Sequence, residues 1–166
     1  MTLELILKEL NSRLWHTTHP DRFSAILKSG GISPEPDIAD SDRWKTSQGK
    51  EFYPYVRIIG GVSLFDFNDF DPESYEQSYP MSSWQTFVPF RRDWGSSVWI
   101  EINRERVADQ VISATELVAK WNSDQAYRHT IMPYIEAAHL GFLPRGAFRR
   151  AFLVRDGESQ FHPLAI

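Results

Sequence analysis

The sequence predicts an α+β fold formed by one domain over residues 1–166. A chain of 166 residues is long enough for one domain with a substantial core. The predicted order is a helix, a strand, a helix, and then strands with few helices between them. Such an order favours antiparallel pairing over a doubly wound parallel sheet. The absence of repeats, low-complexity tracts and linker-like segments is also typical of one domain.

The first 31 residues predict a helix, a strand and a second helix. Thr2 can cap the first helix. The apolar face of that helix would be formed by Leu3, Ile6, Leu7 and Leu10. A short strand is predicted over residues 13–18. Pro20 suits the first position of the second helix, and Gly30-Gly31 would end it.

The middle of the chain predicts two long connections around a pair of strands. Residues 33–54 are polar and broken by prolines, which indicates a loop with one helical turn at most. Strands are predicted at residues 55–59 and 62–67. Gly60-Gly61 lies between them, where a bulge or a close approach of the backbone to a ligand is expected. Residues 68–95 form the second connection.

The C-terminal third predicts more strands than helices. Asn103 can cap a short helix, and Ser113 and Glu116 form a capping-box pattern that opens a longer one. A turn or short helix is predicted at residues 143–148. Strands are predicted at residues 97–102, 130–138, 150–155 and 159–164, the last two as a hairpin.

Composition excludes several classes of chemistry. The chain has no cysteine, so it has no disulfide, thiolate zinc site or cysteine nucleophile. This is typical of a reducing compartment, and a cytoplasmic location is expected. The net charge of −4 provides no general attraction for nucleic acid. The first residues predict a helix rather than a signal peptide, and no apolar run approaches the roughly 20 residues of a membrane span, so no membrane partner is expected.

Two metal-like spacings occur, but neither predicts a metal site. His16 and His19 form a His-x-x-His pair, and Glu136 and His139 form a Glu-x-x-His pair. Both pairs fall at or near predicted strands, where residues three apart point to opposite faces. Phosphate-loop and nucleophile-elbow motifs are absent, so a hydrolase triad of Ser63, His16 and an acid has no supporting pattern.

Three residues remain as candidates for chemistry. Glu136 lies in a mostly apolar segment, where a carboxylate is costly to bury unless it is paired or functional. His16 is either a site residue or a buried histidine with satisfied hydrogen bonds, and Ser63 alone is uninformative. The many aromatic residues either cover a sheet or stack on a planar ligand. From the second long connection we expect Trp84 or Trp94 near the mouth of a cleft.

These candidates lie in motifs whose order resembles the ADP-ribosyltransferase superfamily, as a divergent bacterial or phage-type member. Residues 15–19 with 26–30 are similar to its first motif, and residues 61–64 resemble the second. Residues 135–144, running into 148–154, resemble the third. The resemblance covers most of the chain as an ordered set of short motifs. It implies two small antiparallel sheets that form a split cleft around NAD, which serves as co-substrate.

The resemblance also implies roles for individual residues. Glu136 would bind the nicotinamide-ribose 2'-hydroxyl and stabilise positive charge at the anomeric carbon, with Ser63 positioning it. His16 and Thr17 would contact the adenosine ribose. The resemblance also implies that Gly30 and Gly31 lie near the nicotinamide carboxamide or the adjoining ribose. Phe65 or a nearby aromatic would stack on the nicotinamide, and Arg43 or Arg57 would contact the diphosphate.

The acceptor is not indicated, because the motifs depart from the usual pattern. Ser63-Leu64-Phe65 replaces Ser-x-Ser, and Tyr134 lies two residues before Glu136. The first hypothesis is transfer of ADP-ribose to a protein or nucleic acid, in the manner of a toxin or defence factor. A non-catalytic nucleotide- or partner-binding module and an adaptor domain are the alternatives. The related tRNA 2'-phosphotransferases need basic site residues that this chain does not present.

Overall fold

The computed structural model describes residues 2–166 and confirms a mixed α+β fold. The helices in this range are α1 (Leu3–Leu10), α2 (Pro20–Ser29), α3 (Tyr55–Ile58), α4 (Pro72–Ser78) and α5 (Ala114–Ser123). The strands are β1 (Leu14–Thr18), β2 (Gly31–Ile32), β3 (Gly61–Asp66), β4 (Ser96–Ile102), β5 (Val111–Ile112), β6 (Glu136–Leu140), β7 (Leu143–Pro144), β8 (Phe148–Arg155) and β9 (His162–Leu164). Short 3-10 turns occupy much of the long connections.

The strands form one large and one small antiparallel sheet rather than two small ones. The large sheet has seven strands in the order β5-β6-β3-β1-β4-β8-β9, and β2 pairs with β7 in the small one. β1 pairs with β3 only at Leu14–Asp66 and Trp15–Phe65, whereas its pairing with β4 continues to Thr18. The large sheet therefore opens between β1 and β3 beyond Trp15.

Both faces of the large sheet are buried, as the alternation of side chains along its strands dictates. On β3, Val62 and Leu64 join a core cluster that includes Phe23 of α2. Phe65 projects to the other face, into an aromatic cluster that includes Ile6 of α1. The aromatic residues of the second long connection therefore serve mainly as core.

Local signals in the sequence correctly predict the start of α1, both ends of α2 and the start of α5. The Thr2 hydroxyl accepts a hydrogen bond from the Leu5 amide, and Gly30 ends α2 in the left-handed conformation with a φ of 80°. Ser113 and Glu116 form the predicted capping box of α5. The predicted C-terminal hairpin is confirmed by antiparallel pairing of β8 with β9.

The strand predicted at residues 55–59 is wrong, because this segment forms α3. Pro54 precedes the helix with a φ of −51°, and Tyr55 and Val56 are buried against Leu117 of α5. The Tyr55 hydroxyl donates to Asp124 over 2.5 Å. A run of five residues is too short to distinguish helical periodicity from strand periodicity, so tertiary packing decides which of the two elements forms.

The double glycine forms a turn and a tight packing contact rather than a bulge. Gly60 has a φ of 72°, and Gly61 pairs in register with Leu140 of β6. A Cβ added to Gly61 would lie 3.0 Å from Val56 Cγ1 and 3.3 Å from Ala138 Cβ. The backbone at Gly61 therefore approaches α3 and β6 of the same chain closely.

Other boundaries also differ from prediction. The strand predicted over residues 130–138 begins only at Glu136, because residues 130–135 turn and Tyr134 has a φ of 61°. The loop over residues 33–54 contains two 3-10 turns, Asp40–Asp42 and Lys50–Phe52. The turn predicted at residues 143–148 instead divides into β7, a 3-10 turn at Arg145–Ala147 and the start of β8.

Within residues 2–166, every helix is too short or too polar to cross a lipid bilayer.

We expect Gly61→Ala to lower the free energy of unfolding by about 1–3 kcal/mol, since the added methyl meets two buried, well-packed neighbours. Gly146→Ala is the matched control, because a Cβ at Gly146 meets no atom within 4 Å. Chemical denaturation of both variants measures the difference. Equal stability of the two variants would contradict the packing argument.

Candidate functional site

A cavity of about 480 Å³ lies where β1 and β3 separate, and its volume is within the range of small-molecule sites. β1 contributes His16 and Thr17 to its walls, and β3 contributes Ser63 and Phe65. Glu136, at the start of β6, completes this part of the lining. Gly31 and Ile32 of β2 and residues of the loop that follows β2 also line the cavity.

Glu136 is held by two hydrogen bonds at the edge of this cavity. It stands opposite Phe65 in the β3–β6 register, so Ser63, Phe65 and Glu136 share one face of the sheet. The Ser63 hydroxyl donates to Oε1 over 2.6 Å, and the Met132 amide donates to Oε2 over 2.9 Å. Both carboxylate oxygens are therefore fixed in position. The residue is also almost completely buried, with 5% of it exposed.

Burial raises the pKa of Glu136 to about 7, while the hydrogen bonds from Ser63 and Met132 act in the opposite direction. The carboxyl group consequently changes between its neutral and charged forms close to neutral pH. A strongly shifted pKa in a cavity is a property of many functional carboxyl groups.

His16 bridges the two strands at the point where they separate. Its Nδ1 lies 3.0 Å from the Ser63 carbonyl oxygen. Because a carbonyl oxygen only accepts, Nδ1 must carry the proton and Nε2 is then an acceptor. Burial lowers the pKa of His16, and the hydrogen bond to Ser63 only partly opposes this. The neutral ring is thus favoured, with Nε2 suited to a hydroxyl donor.

Five buried side-chain polar atoms lack a hydrogen-bond partner among the described residues, and three of the five belong to residues of the cavity wall. The three are Thr17 Oγ1, Thr130 Oγ1 and Arg57 Nη1. Buried polar atoms in folded proteins normally have partners. The cavity therefore presents unused hydrogen-bonding capacity that a polar ligand can satisfy.

The two predicted arginines are brought together at the cavity, but both are paired with carboxylates. Arg43 Nη1 lies 2.6 Å from Glu35 Oε2, and Arg57 Nε lies 3.3 Å from Glu35 Oε1. Arg57 also contacts Asp40 over 3.0 Å. An anion that binds either guanidinium must share it with these carboxylates.

Of the remaining predicted residues, Gly31 and Phe65 line the cavity and Gly30 does not. Gly31 lines the cavity and packs closely, since a Cβ there would lie 2.2 Å from the Leu143 carbonyl oxygen. Gly30 is not among the lining residues and serves as the end of α2. Phe65 contributes to the wall, but its ring also stacks on Phe67 at 5.6 Å.

Of the two predicted tryptophans, only Trp94 lies at the cavity. Trp84 is 1% exposed and packs on Phe70 in the core. His19 caps α2 by accepting from the Asp21 amide, and its ring contacts Trp94 edge-on. Across residues 2–166, histidines and acids nowhere form a group of three suited to a metal ion.

Sequence reasoning missed Met132, Thr130 and Glu35. Met132 and Thr130 were assigned to a strand, whereas their turn supplies the amide on Glu136 and an unpartnered hydroxyl. Glu35 lies between two prolines in a loop, with no local pattern that indicates its arginine partners. The Met132 contact is made by a backbone amide, so no residue type in the sequence indicates it.

No protein-family profile and no curated protein matches the chain. Among solved structures, a mutant of the E. coli heat-labile enterotoxin aligns with 92% of this chain and 75% of its own. The two chains share 16% identity, with a TM-score of 0.43. Similarity at this level is a loosely shared arrangement of elements.

We expect Glu136→Gln to become more stable relative to the wild type as pH rises from 5 to 8. The folded wild type prefers the protonated carboxyl, so ionisation between its ordinary pKa and about 7 lowers the free energy of unfolding. Glutamine does not ionise, so the free energy of unfolding of the variant relative to that of the wild type should rise by about 2–3 kcal/mol over this pH range. Denaturation at several pH values tests this, and parallel pH profiles for the two proteins would contradict it.

Proposed function

We propose that this protein is an NAD-dependent ADP-ribosyltransferase that cleaves the nicotinamide–ribose bond and transfers ADP-ribose to a macromolecular acceptor. The observation that carries the proposal is the hydrogen-bonded connection of His16, Ser63 and Glu136 at one cavity. These are the residues that the motif resemblance selects. They are 47 and 73 positions apart along the chain, so local structure alone does not bring them together.

Glu136 would act as the electrostatic group of the reaction. When the bond between nicotinamide and the ribose anomeric carbon breaks, its electron pair leaves with nicotinamide and the ribose becomes oxocarbenium-like. A fixed carboxylate in a poorly hydrated cavity stabilises this charge. The hydrogen bonds from Ser63 and Met132 hold the carboxylate in place before the reaction. An acceptor nucleophile then bonds to the anomeric carbon and loses its proton.

The other cavity residues would bind the co-substrate rather than react. His16 Nε2 can accept from a ribose hydroxyl, and Thr17 Oγ1 is a buried group available nearby. Gly31 and Phe65 are the proposed neighbours of the nicotinamide ring. Arg43 and Arg57 are the proposed diphosphate contacts, with their forked donors suited to phosphate oxygens.

One observation favours a non-catalytic binding module as the second candidate. With a pKa of about 7, Glu136 is neutral in a large share of molecules at neutral pH. A neutral carboxyl group can donate a hydrogen bond to a ligand but supplies no charge to an oxocarbenium-like centre. A binding module of this kind would tolerate glutamine at position 136.

We expect Glu136→Gln to lose nicotinamide release by about 100- to 1,000-fold while NAD affinity changes little. Glutamine keeps the shape and the hydrogen bonds but lacks the full charge that acts in the transition state. His16→Ala should instead weaken NAD binding, because its contact forms before the reaction. Nicotinamide release in the presence of cell lysate and NAD calorimetry measure the two effects. Wild-type turnover by Glu136→Gln would refute the mechanism, and NAD binding by the wild type without nicotinamide release would support the binding module.

The rate of nicotinamide release should rise with pH through about 7, because only the ionised Glu136 stabilises the developing charge. The Ser63 hydrogen bond lowers this pKa, so Ser63→Ala should move the rising limb to higher pH. The pH dependence of kcat for both proteins tests this. If Ser63→Ala leaves the midpoint of the pH profile unchanged, the group whose ionisation controls kcat is not Glu136.

A further inference from the structure

One wall of the cavity carries two arginine side chains that converge on a single carboxylate. Glu35 Oε2 lies 2.6 Å from Arg43 Nη1 and 3.3 Å from Arg57 Nη2. Its other oxygen, Oε1, lies 3.3 Å from Arg57 Nε. The carboxylate therefore occupies the position between two guanidinium groups that a bound oxyanion would take.

Both arginines are also held by groups other than the shared carboxylate. Arg43 donates from Nη2 to the Pro34 carbonyl oxygen over 2.8 Å. Arg57 contacts Asp40 over 3.0 Å and lies 4.0 Å from the centre of the Tyr53 ring. The Tyr53 hydroxyl in turn donates to Asp40 over 2.6 Å. Arg57 thus keeps these contacts if the shared carboxylate moves away, and Arg43 keeps its hydrogen bond as long as the Pro34 backbone stays in place.

Glu35 is the least buried member of the cluster. Its side chain is 62% exposed, whereas the side chains of Arg43 and Arg57 are 13% and 15% exposed. Burial alone would raise the pKa of Glu35, but the hydrogen bonds and charges of Arg57 and Arg43 lower it below its usual value. It is therefore an anion at neutral pH, and its ion pairs are of the solvent-screened kind that contributes little stability.

The arginine pair has capacity for a larger anion than one carboxylate. Arg57 Nη1 is buried and has no hydrogen-bond partner in the described part of the chain. A phosphate group offers one oxygen more than a carboxylate, and Arg is suited to bind such groups with two donors at once. A phosphate at this position can use the donors that Glu35 now takes, which are Arg43 Nη1 and Arg57 Nε and Nη2.

We propose that Arg43 and Arg57 form a phosphate-binding subsite in which Glu35 is an internal competitor that the ligand's phosphate displaces. The subsite itself follows from the arginine geometry, and only the identification of its ligand as NAD rests on the proposed function. Displacement breaks the ion pairs between the arginines and the segment that carries Glu35, and the hydrogen bond from Arg43 to the Pro34 carbonyl oxygen remains. Because residues 34–38 line the cavity, phosphate binding and the position of this segment are coupled.

The test compares Glu35→Gln with the wild type in calorimetric titrations with inorganic pyrophosphate and with ADP-ribose at low ionic strength. Glutamine keeps the size of the side chain but removes its charge, so both probes should bind about three- to tenfold more tightly. Glu51→Gln is the matched control, since Glu51 is an exposed glutamate of the same loop and the variant has the same net charge. Its affinities should equal those of the wild type.

The outcomes separate this inference from the proposed function. Unchanged or weaker pyrophosphate binding by Glu35→Gln, an equal gain in Glu51→Gln, or no detectable binding to any of the three proteins would overturn it. A selective gain in Glu35→Gln supports it, whether or not NAD is cleaved. Nicotinamide release is measured in the same preparations. A selective gain in pyrophosphate affinity without any nicotinamide release would support the phosphate subsite and refute the transferase activity.

Discussion

The arrangement of the site depends on one buried carboxylate that two hydrogen bonds keep at the surface of a cavity. Burial of Glu136 is unfavourable for its charged form, and the donors from Ser63 and Met132 offset part of that cost. One donor comes from the neighbouring strand and the other from the turn before β6. The carboxylate can hold this position only if the β3–β6 register and the turn are both correct.

The opening of the large sheet gives that carboxylate access to a ligand. β1 and β3 separate after two residue pairs, and the His16 ring spans the opening to reach the Ser63 carbonyl oxygen. Ser63 consequently serves both neighbours, with its hydroxyl on Glu136 and its carbonyl on His16. Elsewhere both faces of the sheet are packed with apolar side chains. The polar groups and the cavity therefore occur together at the point where the pairing of β1 with β3 ends.

Electrostatics divides the cavity into two regions of different character. Around Glu136 the charge is buried, and its protonation responds to pH near neutrality. Around Arg43 and Arg57 the charges are paired with partly solvated carboxylates and exchange more readily. A ligand with a sugar at one end and phosphates at the other matches this division, and the two halves of the site can be tested separately.

Elements whose signals lie within a few residues were predictable from the sequence. The caps at Thr2, Gly30 and Ser113 mark helix ends through contacts with their own neighbours, and the β8–β9 hairpin is likewise local. The choice of His16, Ser63 and Glu136 as candidates also came from residue types and motif order alone, and the cavity brings these three residues together.

Tertiary packing decided what those local signals left open. Residues 55–58 become a helix because Tyr55 and Val56 find buried partners there, and Trp94 rather than Trp84 reaches the cavity because Trp84 fills the core. The hydrogen bond from Met132 and the pairing of Glu35 with both arginines have no counterpart in sequence pattern. Whether near or far along the chain, the partners of these contacts are brought into range only by the path of the folded backbone, so the contacts exist only once the chain has folded.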